Sequence, residues 1–200
     1  KVGPALAAGC TVVLKPAEAT PLSAIKVFEI LAEAGVPDGV INLVTTSNPA
    51  PVGEEFVSNP LVRKLTFTGS TAVGKMLAGK AAGNMKRVSC ELGGHAPFLV
   101  FDDADPVHAA KGVQLVKFLN TGQACISPNR IFVHQSKVDA FVDTLQSRVA
   151  GMQAGSGFEE GVTIGPLVDE RAVTKVSAQV DDAVAKGAEV VCGATRLISN

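Results

Sequence analysis

Tryptophan and tyrosine are absent from this sequence of 200 residues, and its 18 basic residues nearly match its 19 acidic ones. Without those two side chains we do not expect an aromatic platform of the kind on which nucleic acid bases stack. The near-neutral balance gives no basic surface for nucleic acid or for an anionic membrane. Apolar runs are short, because glycine, proline or a charged residue interrupts each one before it could span a bilayer. The composition therefore predicts neither a nucleic-acid partner nor a membrane partner.

Histidine and cysteine are also scarce. The three histidines and four cysteines do not have the spacing of metal ligands, and no two cysteines form a CxxC pair. This pattern predicts no metal site, and reduced thiols in an intracellular protein. Cys10, Cys90 and Cys192 lie in apolar, strand-like segments and are expected to be inert core thiols, whereas Cys125 lies in a polar loop.

We interpret neither end of the sequence as a natural terminus. The chain begins at Lys1 rather than at methionine, and its last residues follow a strand-like segment without a closing element. We interpret the sequence as an internal fragment of a longer protein. A bacterial parent is expected in the cytoplasm, and a eukaryotic parent in the mitochondrial matrix.

Short apolar, β-branched segments alternate with longer segments of helical periodicity. Continuous apolar strands that alternate with helices predict an α/β fold with a parallel sheet covered on both faces. The double glycine at 93–94 is the best candidate for a domain hinge. Strands are predicted at 10–15, 40–44, 62–67, 87–92, 98–101, 130–134 and 188–192, and helices from Thr20-Pro21 to Gly35, near Pro51, and at 71–82, 105–119, 137–150 and 169–186.

Ligands of parallel α/β sheets bind at the carboxyl ends of the strands, so the loops after strands are the candidate sites. The loop after the first strand contains Lys15 and Glu18. A lysine can anchor an adenosine ribose or a phosphate, and a carboxylate can accept hydrogen bonds from both ribose hydroxyls. A solvated loop with a proline turn explains the same residues, and the spacing alone leaves both interpretations open.

The segment FTGSTAVGK (67–75) follows a strand and opens a helix. Gly69 and Ser70 could bind a phosphate there, through backbone N–H groups at the helix start and a hydroxyl. The segment also matches the G-x-x-x-x-G-K pattern of NTPase phosphate loops, and Asp102 follows another strand as a magnesium-binding carboxylate would. Met76, however, stands where those enzymes have a serine or threonine that holds magnesium. A phosphate-loop NTPase is therefore kept as an alternative function.

Two further residues are candidates for chemistry. Glu91 ends a strand-like segment and precedes two glycines, where a partly desolvated carboxylate would be suited to act as a general base. Cys125 lies in NTGQACISPN (120–129), a polar segment in which a thiol could be a nucleophile. A single loop cysteine is usually unreactive, so the residues alone leave its role open.

Four segments occur in the order typical of one enzyme family: ALAAGCTVVLKPAEATP, FTGSTAVGK, CELGGHAP and FLNTGQAC. Through them the chain resembles the aldehyde dehydrogenase superfamily from Lys1 to about Asn200. Within the superfamily it is most similar to succinate-semialdehyde dehydrogenases, through SNPLVRKLTFTGST, APFLVFDDAD and GFEEGVTIGPLVDE. The resemblance implies a truncated aldehyde dehydrogenase fold, with part of a Rossmann-like NAD(P)-binding domain in 1–92 and part of the α/β catalytic domain in 93–200.

The resemblance implies that a small aldehyde, such as succinic semialdehyde, is oxidised to its carboxylic acid while NAD(P) is reduced. Cys125 is implied as the nucleophile that forms a thiohemiacetal and then a thioester, and Glu91 as the base that activates water. NAD is expected to be preferred to NADP, because the Glu18 carboxylate would repel a 2′-phosphate. The parent protein is expected to be a homodimer or homotetramer. The implied cofactor-binding residues are Lys15, Glu18, Gly69, Ser70 and Leu92.

Two positions depart from relatives in the family. Succinate-semialdehyde dehydrogenases commonly have an arginine six positions before the nucleophile, where this chain has Leu119. An apolar side chain offers no charge-assisted hydrogen bond to a substrate carboxylate, so the aldehyde is left open. Ser127 stands where some relatives have a second cysteine that acts as a redox switch. A non-catalytic relative is a further alternative, against which the presence of both Glu91 and Cys125 argues.

The family's oxyanion asparagine and its nicotinamide-ribose glutamate are expected outside the residues given. We therefore expect the isolated fragment to be inactive.

Overall fold

The structure is a computed structural model that describes residues 1–197. The chain divides into two compact units, Lys1–Leu92 and Gly93–Asn200, so the boundary falls directly before the double glycine. The strands pair as three two-stranded parallel sheets, and a helix lies between the two strands of each pair. Parallel strands joined by helical crossovers confirm the predicted α/β fold class.

The first unit has its core around a helix pair and one strand. Val57, Leu65, Leu77 and Ala81 form this core and are each less than 10% exposed. Strand Val12–Leu14 pairs with Ile41–Leu43, and strand Lys64–Thr68 pairs with Arg87–Glu91. The elements of this unit are α1 (Val2–Ala7), β1 (Val12–Leu14), α2 (Leu22–Glu33), β2 (Ile41–Leu43), α3 (Pro49–Ser58), β3 (Lys64–Thr68), α4 (Thr71–Ala82) and β4 (Arg87–Glu91).

The second unit is built in the same way around a different core. Val100, Ala110, Val113 and Phe141 form that core, where helices Pro106–Lys117 and Val138–Ala150 pack together. Strand Phe98–Val100 pairs in parallel with Ile131–Val133, and a single parallel bridge joins Ala154 to Ile164. The elements are β5 (Phe98–Val100), α5 (Pro106–Lys117), a 3₁₀ turn (Leu119–Gly122), β6 (Ile131–Val133), a second 3₁₀ turn (Gln135–Lys137), α6 (Val138–Ala150) and α7 (Glu170–Ala185).

Local capping explains why several helices begin where the sequence predicts. Helix α4 has the predicted bounds, and the Ser70 hydroxyl accepts a hydrogen bond from the Val73 N–H group at its start. At α5, the Asp105 carboxylate accepts a hydrogen bond from the Val107 N–H group (2.8 Å), and Pro106 occupies the first helical position. Both arrangements satisfy N–H groups that have no partner inside the helix.

Several predicted boundaries are wrong. Helix α1 was not predicted, because its short apolar segment has no clear helical period. Helix α2 begins at Leu22, so the predicted start at Thr20-Pro21 precedes the helix, although Pro21 already has helical backbone angles. Helix α3 begins at Pro49, two residues before the predicted start, since proline needs no N–H partner at the first helical position. The segment 188–192 is exposed and is not a strand, because within residues 1–197 no other strand pairs with it.

The prediction of buried cysteines is also wrong for two of three thiols. Cys10 follows α1 and precedes β1, and it is exposed. Cys192 lies in the segment that forms no strand and is likewise exposed, whereas Cys90 is partly buried in β4. Burial of a thiol requires packed neighbours on both sides, and apolar composition alone does not supply them.

None of the helices in the described residues is both long enough and apolar enough to cross a lipid bilayer.

Candidate active site

The loops after β1 and β2 line an open cleft of about 330 Å³. Because these strands are parallel, both loops leave the sheet at its carboxyl edge, where ligands of parallel α/β proteins bind. Hydroxyl, carboxylate and small apolar groups are all present in its lining. The residues that line the cleft are Pro16, Ala17, Glu18, Pro21, Thr45, Thr46 and Ser47.

Lys15 and Glu18 form an ion pair at this cleft. The Lys15 ammonium group donates hydrogen bonds to the Glu18 carboxylate and to the Pro16 carbonyl oxygen, the latter at 2.7 Å. The hydrogen bond from Lys15 lowers the pKa of the Glu18 carboxyl group. The Glu18 side chain is 41% exposed. Ion pairs at the protein surface contribute little stability, so Lys15 and Glu18 can separate and each bind a polar ligand at small cost.

Gly69 and Ser70 form the turn from β3 into α4. The Ser70 hydroxyl oxygen accepts a hydrogen bond from the Val73 N–H group at 3.3 Å, which leaves its hydroxyl proton available to a ligand. The free N–H groups of the first turn of α4 make this a favourable place for an anion. A Cβ atom at position 69 would lie 2.5 Å from the Phe67 ring. Glycine at this position therefore lets the ring pack beneath the turn.

The same segment does not form an NTPase phosphate loop. Helix α4 already begins at Thr71, so Gly74 and Lys75 lie inside the helix. The Gly74 N–H group donates to the Ser70 carbonyl oxygen at 2.9 Å, whereas in a phosphate loop such groups surround the phosphate. This geometry argues against the NTPase alternative.

The pairing of β3 with β4 brings Glu91 beside the Gly69–Ser70 turn. Glu91 lies opposite Thr68 in the ladder, and its carbonyl oxygen accepts a hydrogen bond from the Gly69 N–H group at 3.1 Å. The Glu91 side chain is exposed, so the expected partial desolvation is wrong for this chain. The two glycines that follow it have no side chains with which to cover the carboxylate.

Leu92 packs on the helix that follows the turn. A Cβ atom at Gly74 would lie 2.5 Å from a methyl group of Leu92, so the two residues are in close contact. The Leu92 side chain therefore packs against α4, and only the Leu92 backbone is available to contact a ligand.

Cys125 is exposed in the irregular segment between α5 and β6, which we call the cysteine loop (118–129). Three successive residues of this loop, Asn120, Thr121 and Gly122, have positive φ angles of 50°, 58° and 76°. A left-handed backbone costs about 1–3 kcal/mol at a non-glycine residue, and a β-branched residue such as Thr121 rarely adopts it. Other contacts must therefore hold the loop in this conformation.

Lys117 closes the base of the cysteine loop. Its carbonyl oxygen accepts a hydrogen bond from the buried Ser127 hydroxyl (3.2 Å), and its ammonium group donates to the Asn129 side-chain oxygen (2.8 Å). Burial lowers the pKa of Lys117. The Asn129 N–H group donates to the His95 carbonyl oxygen at 2.9 Å, which ties the end of the loop to the segment after the double glycine. Ser127 thus has a structural contact of its own.

Sequence reasoning missed a second set of contacts to this loop. The Thr121 hydroxyl donates to the Gly165 carbonyl oxygen at 3.1 Å, and the Gln123 side-chain oxygen accepts from the Val168 N–H group at 2.9 Å. These partners are 44 and 45 residues apart in the chain. No local pattern indicates such pairs, although 165–168 lies within a stretch noted for its resemblance to the family.

Among residues 1–197, no three or more histidine, cysteine, aspartate or glutamate side chains are grouped so as to hold a metal ion.

The sequence profile of the aldehyde dehydrogenase family matches residues 1–199, and the chain belongs to this family. It is 55% identical over 193 residues to succinate-semialdehyde dehydrogenase [NADP(+)] GabD of Escherichia coli (strain K12), covering 96% of this chain and 40% of the relative. It is 54% identical to a glutarate-semialdehyde dehydrogenase of Pseudomonas aeruginosa, with the same coverage. The chain thus spans about 40% of the length of these curated relatives.

The fold is also similar to that of a solved relative. The crystal structure of succinate-semialdehyde dehydrogenase from Burkholderia pseudomallei matches with a TM-score of 0.95 and 50% identity, over 98% of this chain and 41% of that one. The resemblance inferred from the four sequence segments is therefore confirmed at the level of family and fold.

Proposed function

We propose that the full-length protein containing this chain oxidises a small aldehyde to its carboxylic acid while NAD(P) is reduced, with Cys125 as the nucleophile. The observation that carries the proposal is the family match over 1–199, within which Cys125 alone among the four cysteines lies in a constrained polar loop. Relatives named for succinate semialdehyde and glutarate semialdehyde support a semialdehyde as the substrate class.

In the proposed reaction the Cys125 thiol releases its proton to solvent water, and the thiolate attacks the aldehyde carbonyl to form a thiohemiacetal. The backbone N–H group of Cys125 would donate to the oxyanion that develops. A bound nicotinamide supplies the hydride acceptor through which the thiohemiacetal becomes a thioester. Glu91 then takes a proton from water as the water oxygen attacks the thioester carbonyl, and it returns this proton to the departing Cys125 sulfur, so that the acid and the thiol are released. A general base at this position favours hydrolysis over transfer of the acyl group to another thiol.

The polar groups of the first unit fit an adenine dinucleotide. Lys15 and Glu18, at the open cleft, would exchange their mutual ion pair for the adenosine ribose. The Gly69–Ser70 turn would hold the diphosphate at the start of α4, and Leu92 would contribute through its backbone. We accordingly assign the cofactor role to 1–92 and the nucleophile to the unit that begins at Gly93.

We propose a preference for NAD with acceptance of NADP. The Glu18 carboxylate would repel a 2′-phosphate. The Lys15 ammonium group lies in direct contact with that carboxylate, so its positive charge offsets part of the repulsion. This balance is consistent with a relative whose name specifies NADP(+). We also propose that the full-length protein is a homodimer or homotetramer, as the resemblance to the family implies, which size-exclusion chromatography with light scattering would test.

Leu119 bears on the choice of aldehyde. It begins the 3₁₀ turn of the cysteine loop and is 52% exposed, so its apolar surface is available to a substrate. A substrate carboxylate would find no charged partner there, and a different cation would have to bind it.

The test follows formation of NADH and NADPH by the full-length protein with succinic semialdehyde, glutaric semialdehyde and the uncharged aldehyde butanal. Cys125→Ala should lose at least about a thousandfold in turnover, because no nucleophile remains. Cys192→Ala, which removes another exposed thiol, is the matched control and should keep wild-type activity. Oxidation of none of the three aldehydes, or undiminished turnover in Cys125→Ala, would refute the proposal. A preference for butanal would make Leu119 the residue that selects uncharged substrates.

A further inference from the structure

The segment Gly165–Val168, which we call the support segment, has no part in the function proposed above. It lies between the Ala154–Ile164 bridge and the N-cap of α7, Asp169. On one side, the Ile164 carbonyl oxygen accepts a hydrogen bond from the Gly155 N–H group at 3.0 Å. On the other side, the Asp169 carboxylate accepts from the first turn of α7 at 2.9 Å. The support segment is therefore fixed at both ends.

The support segment presents one acceptor and one donor to the cysteine loop. The Gly165 carbonyl oxygen accepts from the Thr121 hydroxyl at 3.1 Å, and the Val168 N–H group donates to the Gln123 side-chain oxygen at 2.9 Å. Thr121 and Gln123 lie on either side of Gly122, four and two residues before Cys125. Two hydrogen bonds at neighbouring positions define both the place and the direction of this part of the loop.

These contacts coincide with the left-handed backbone of the loop. Thr121 has a φ angle of 58° although its side chain is β-branched, so the conformation persists only where the surroundings impose it. The hydroxyl of the same residue makes the bond to Gly165. Two further hydrogen bonds span the same turn. The Asn120 side-chain amide donates to the main-chain carbonyl oxygen of Gln123 (3.3 Å), and the Gln123 side-chain amide donates to that of Asn120 (3.2 Å).

We infer that Thr121 and Gln123 are positioning residues: they dock the cysteine loop on the support segment and so fix the direction of the Cys125 thiol. The inference deepens the proposed function and rests on it, because Cys125 is the nucleophile in both. A displacement of about 1 Å at a reacting atom can lower a rate by about a hundredfold. Loss of one of these two hydrogen bonds should therefore change the activation free energy of attack by Cys125 more than it changes the free energy of unfolding.

The experiment compares three variants of the full-length protein. Thr121→Val removes the hydroxyl and keeps the branched shape, whereas Thr121→Ser keeps the hydroxyl. Thr144→Val is the matched control, because the Thr144 hydroxyl also donates to a carbonyl oxygen, that of Ala140 within α6, at 2.7 Å. Each variant is measured by hydrogen–deuterium exchange of 118–127, by kcat and KM for aldehyde oxidation, and by the burst of p-nitrophenolate from p-nitrophenyl acetate.

Thr121→Val should raise amide exchange in 118–127 about tenfold and lower kcat about tenfold, with KM for the nicotinamide cofactor changed less than twofold. Thr121→Ser should restore both quantities to within threefold of wild type, and Thr144→Val should leave both unchanged. Unchanged exchange in Thr121→Val, failure of Thr121→Ser to restore kcat, or an equal loss of kcat in Thr144→Val would overturn the inference.

The ester separates this inference from the proposed function. A thiolate attacks an activated ester without any cofactor, so the part of the burst that is lost in Cys125→Ala reports Cys125 even if no aldehyde is oxidised. Wild-type protein that gives a burst but oxidises no aldehyde would refute the proposed function alone. The burst rate of Thr121→Val would then decide the inference, with a roughly tenfold decrease expected and an unchanged rate contradicting it. A wild-type protein with neither activity would refute both.

Discussion

In the first unit Gly69, Ser70 and Glu91 lie where regular strands and helices end, whereas in the second unit Cys125 lies in a loop with three left-handed residues. The first group is placed by neighbouring ladder and capping contacts. The cysteine loop is placed by hydrogen bonds to residues about 40 positions away. The comparison teaches that regular elements place the candidate ligand-binding turn through contacts between neighbouring elements, whereas the irregular loop that carries Cys125 depends on contacts with distant residues.

The largest effect that tests this comparison is expected at the end of β4. Glu91→Gln keeps the backbone hydrogen bond to the Gly69 N–H group and removes only the carboxylate that would accept a proton. Turnover should therefore fall about 10²–10⁴-fold, the contribution typical of a general base. A burst of NADH close to one equivalent per active site should remain, because formation of the thioester does not require the base. Rapid-mixing absorbance measures both quantities.

Glu29→Gln, at an exposed position on α2, is the control for that measurement and should behave as wild type. Loss of the burst together with turnover would mean that Glu91 acts before the thioester forms and would contradict the assigned role.

Gly122→Ala should disturb the cysteine loop itself. The added Cβ atom would lie 3.1 Å from the Lys117 carbonyl oxygen, at a φ angle of +76°. Gly9→Ala imposes the same left-handed cost at +73° but meets no atom within 4 Å. Both variants should lose about 1 kcal/mol of stability, and only Gly122→Ala should lose about tenfold in kcat. Equal kcat values for the two variants would show that the loop tolerates displacement.

A smaller effect is expected where the turn after β3 is supported by packing. Gly74→Ala places a Cβ atom 2.5 Å from a methyl group of Leu92, whereas Gly79→Ala on the same helix meets nothing within 4 Å. The first substitution should destabilise the protein by about 1–2 kcal/mol through overpacking. The second should stabilise it by up to about 1 kcal/mol through helix propensity. Thermal unfolding compares them, and a gain of stability in both would mean that Leu92 moves freely.

The smallest effect is expected at the cleft after β1. Glu18→Gln removes the negative charge of the carboxylate whose pKa the hydrogen bond from Lys15 lowers. The ratio of kcat/KM for NADP to that for NAD should rise about three- to tenfold, because repulsion of the 2′-phosphate is lost while the Lys15 cation remains. Glu33→Gln, at an exposed position at the end of α2, is the control. An unchanged ratio would place cofactor selection elsewhere.

What the sequence predicts well is set by local rules. Helix α4 has the predicted bounds because its start is a serine cap after a glycine, and the parallel α/β fold follows from alternating strands and helices. The family match accounts for the choice of Cys125 among four cysteines. The exposure of Cys10 and the irregular conformation of 188–192 were not predictable in this way, because burial and strand formation depend on partners from elsewhere in the chain.

The cysteine loop marks the limit of such prediction most clearly. Asparagine at position 120 tolerates a left-handed backbone, and glycine at 122 favours it, but threonine at 121 argues against it. The observed conformation is stabilised by the support segment, whose distance along the chain hides the relation from any local pattern. The same reason explains why Thr121 and Gln123 were not among the predicted site residues.

The position of the cysteine loop inside the crossover from β5 to β6 has a consequence for the order of events during synthesis. The strand pair can form once β6 has left the ribosome, and Cys125 is then already present. The support segment is translated only later, and domains fold as their residues emerge. If the strand pair forms in that interval, its cysteine loop has the contacts through Lys117 and Asn129 but not those through Thr121 and Gln123. Under the positioning inference, Cys125 therefore takes its catalytic direction only after the support segment has been added.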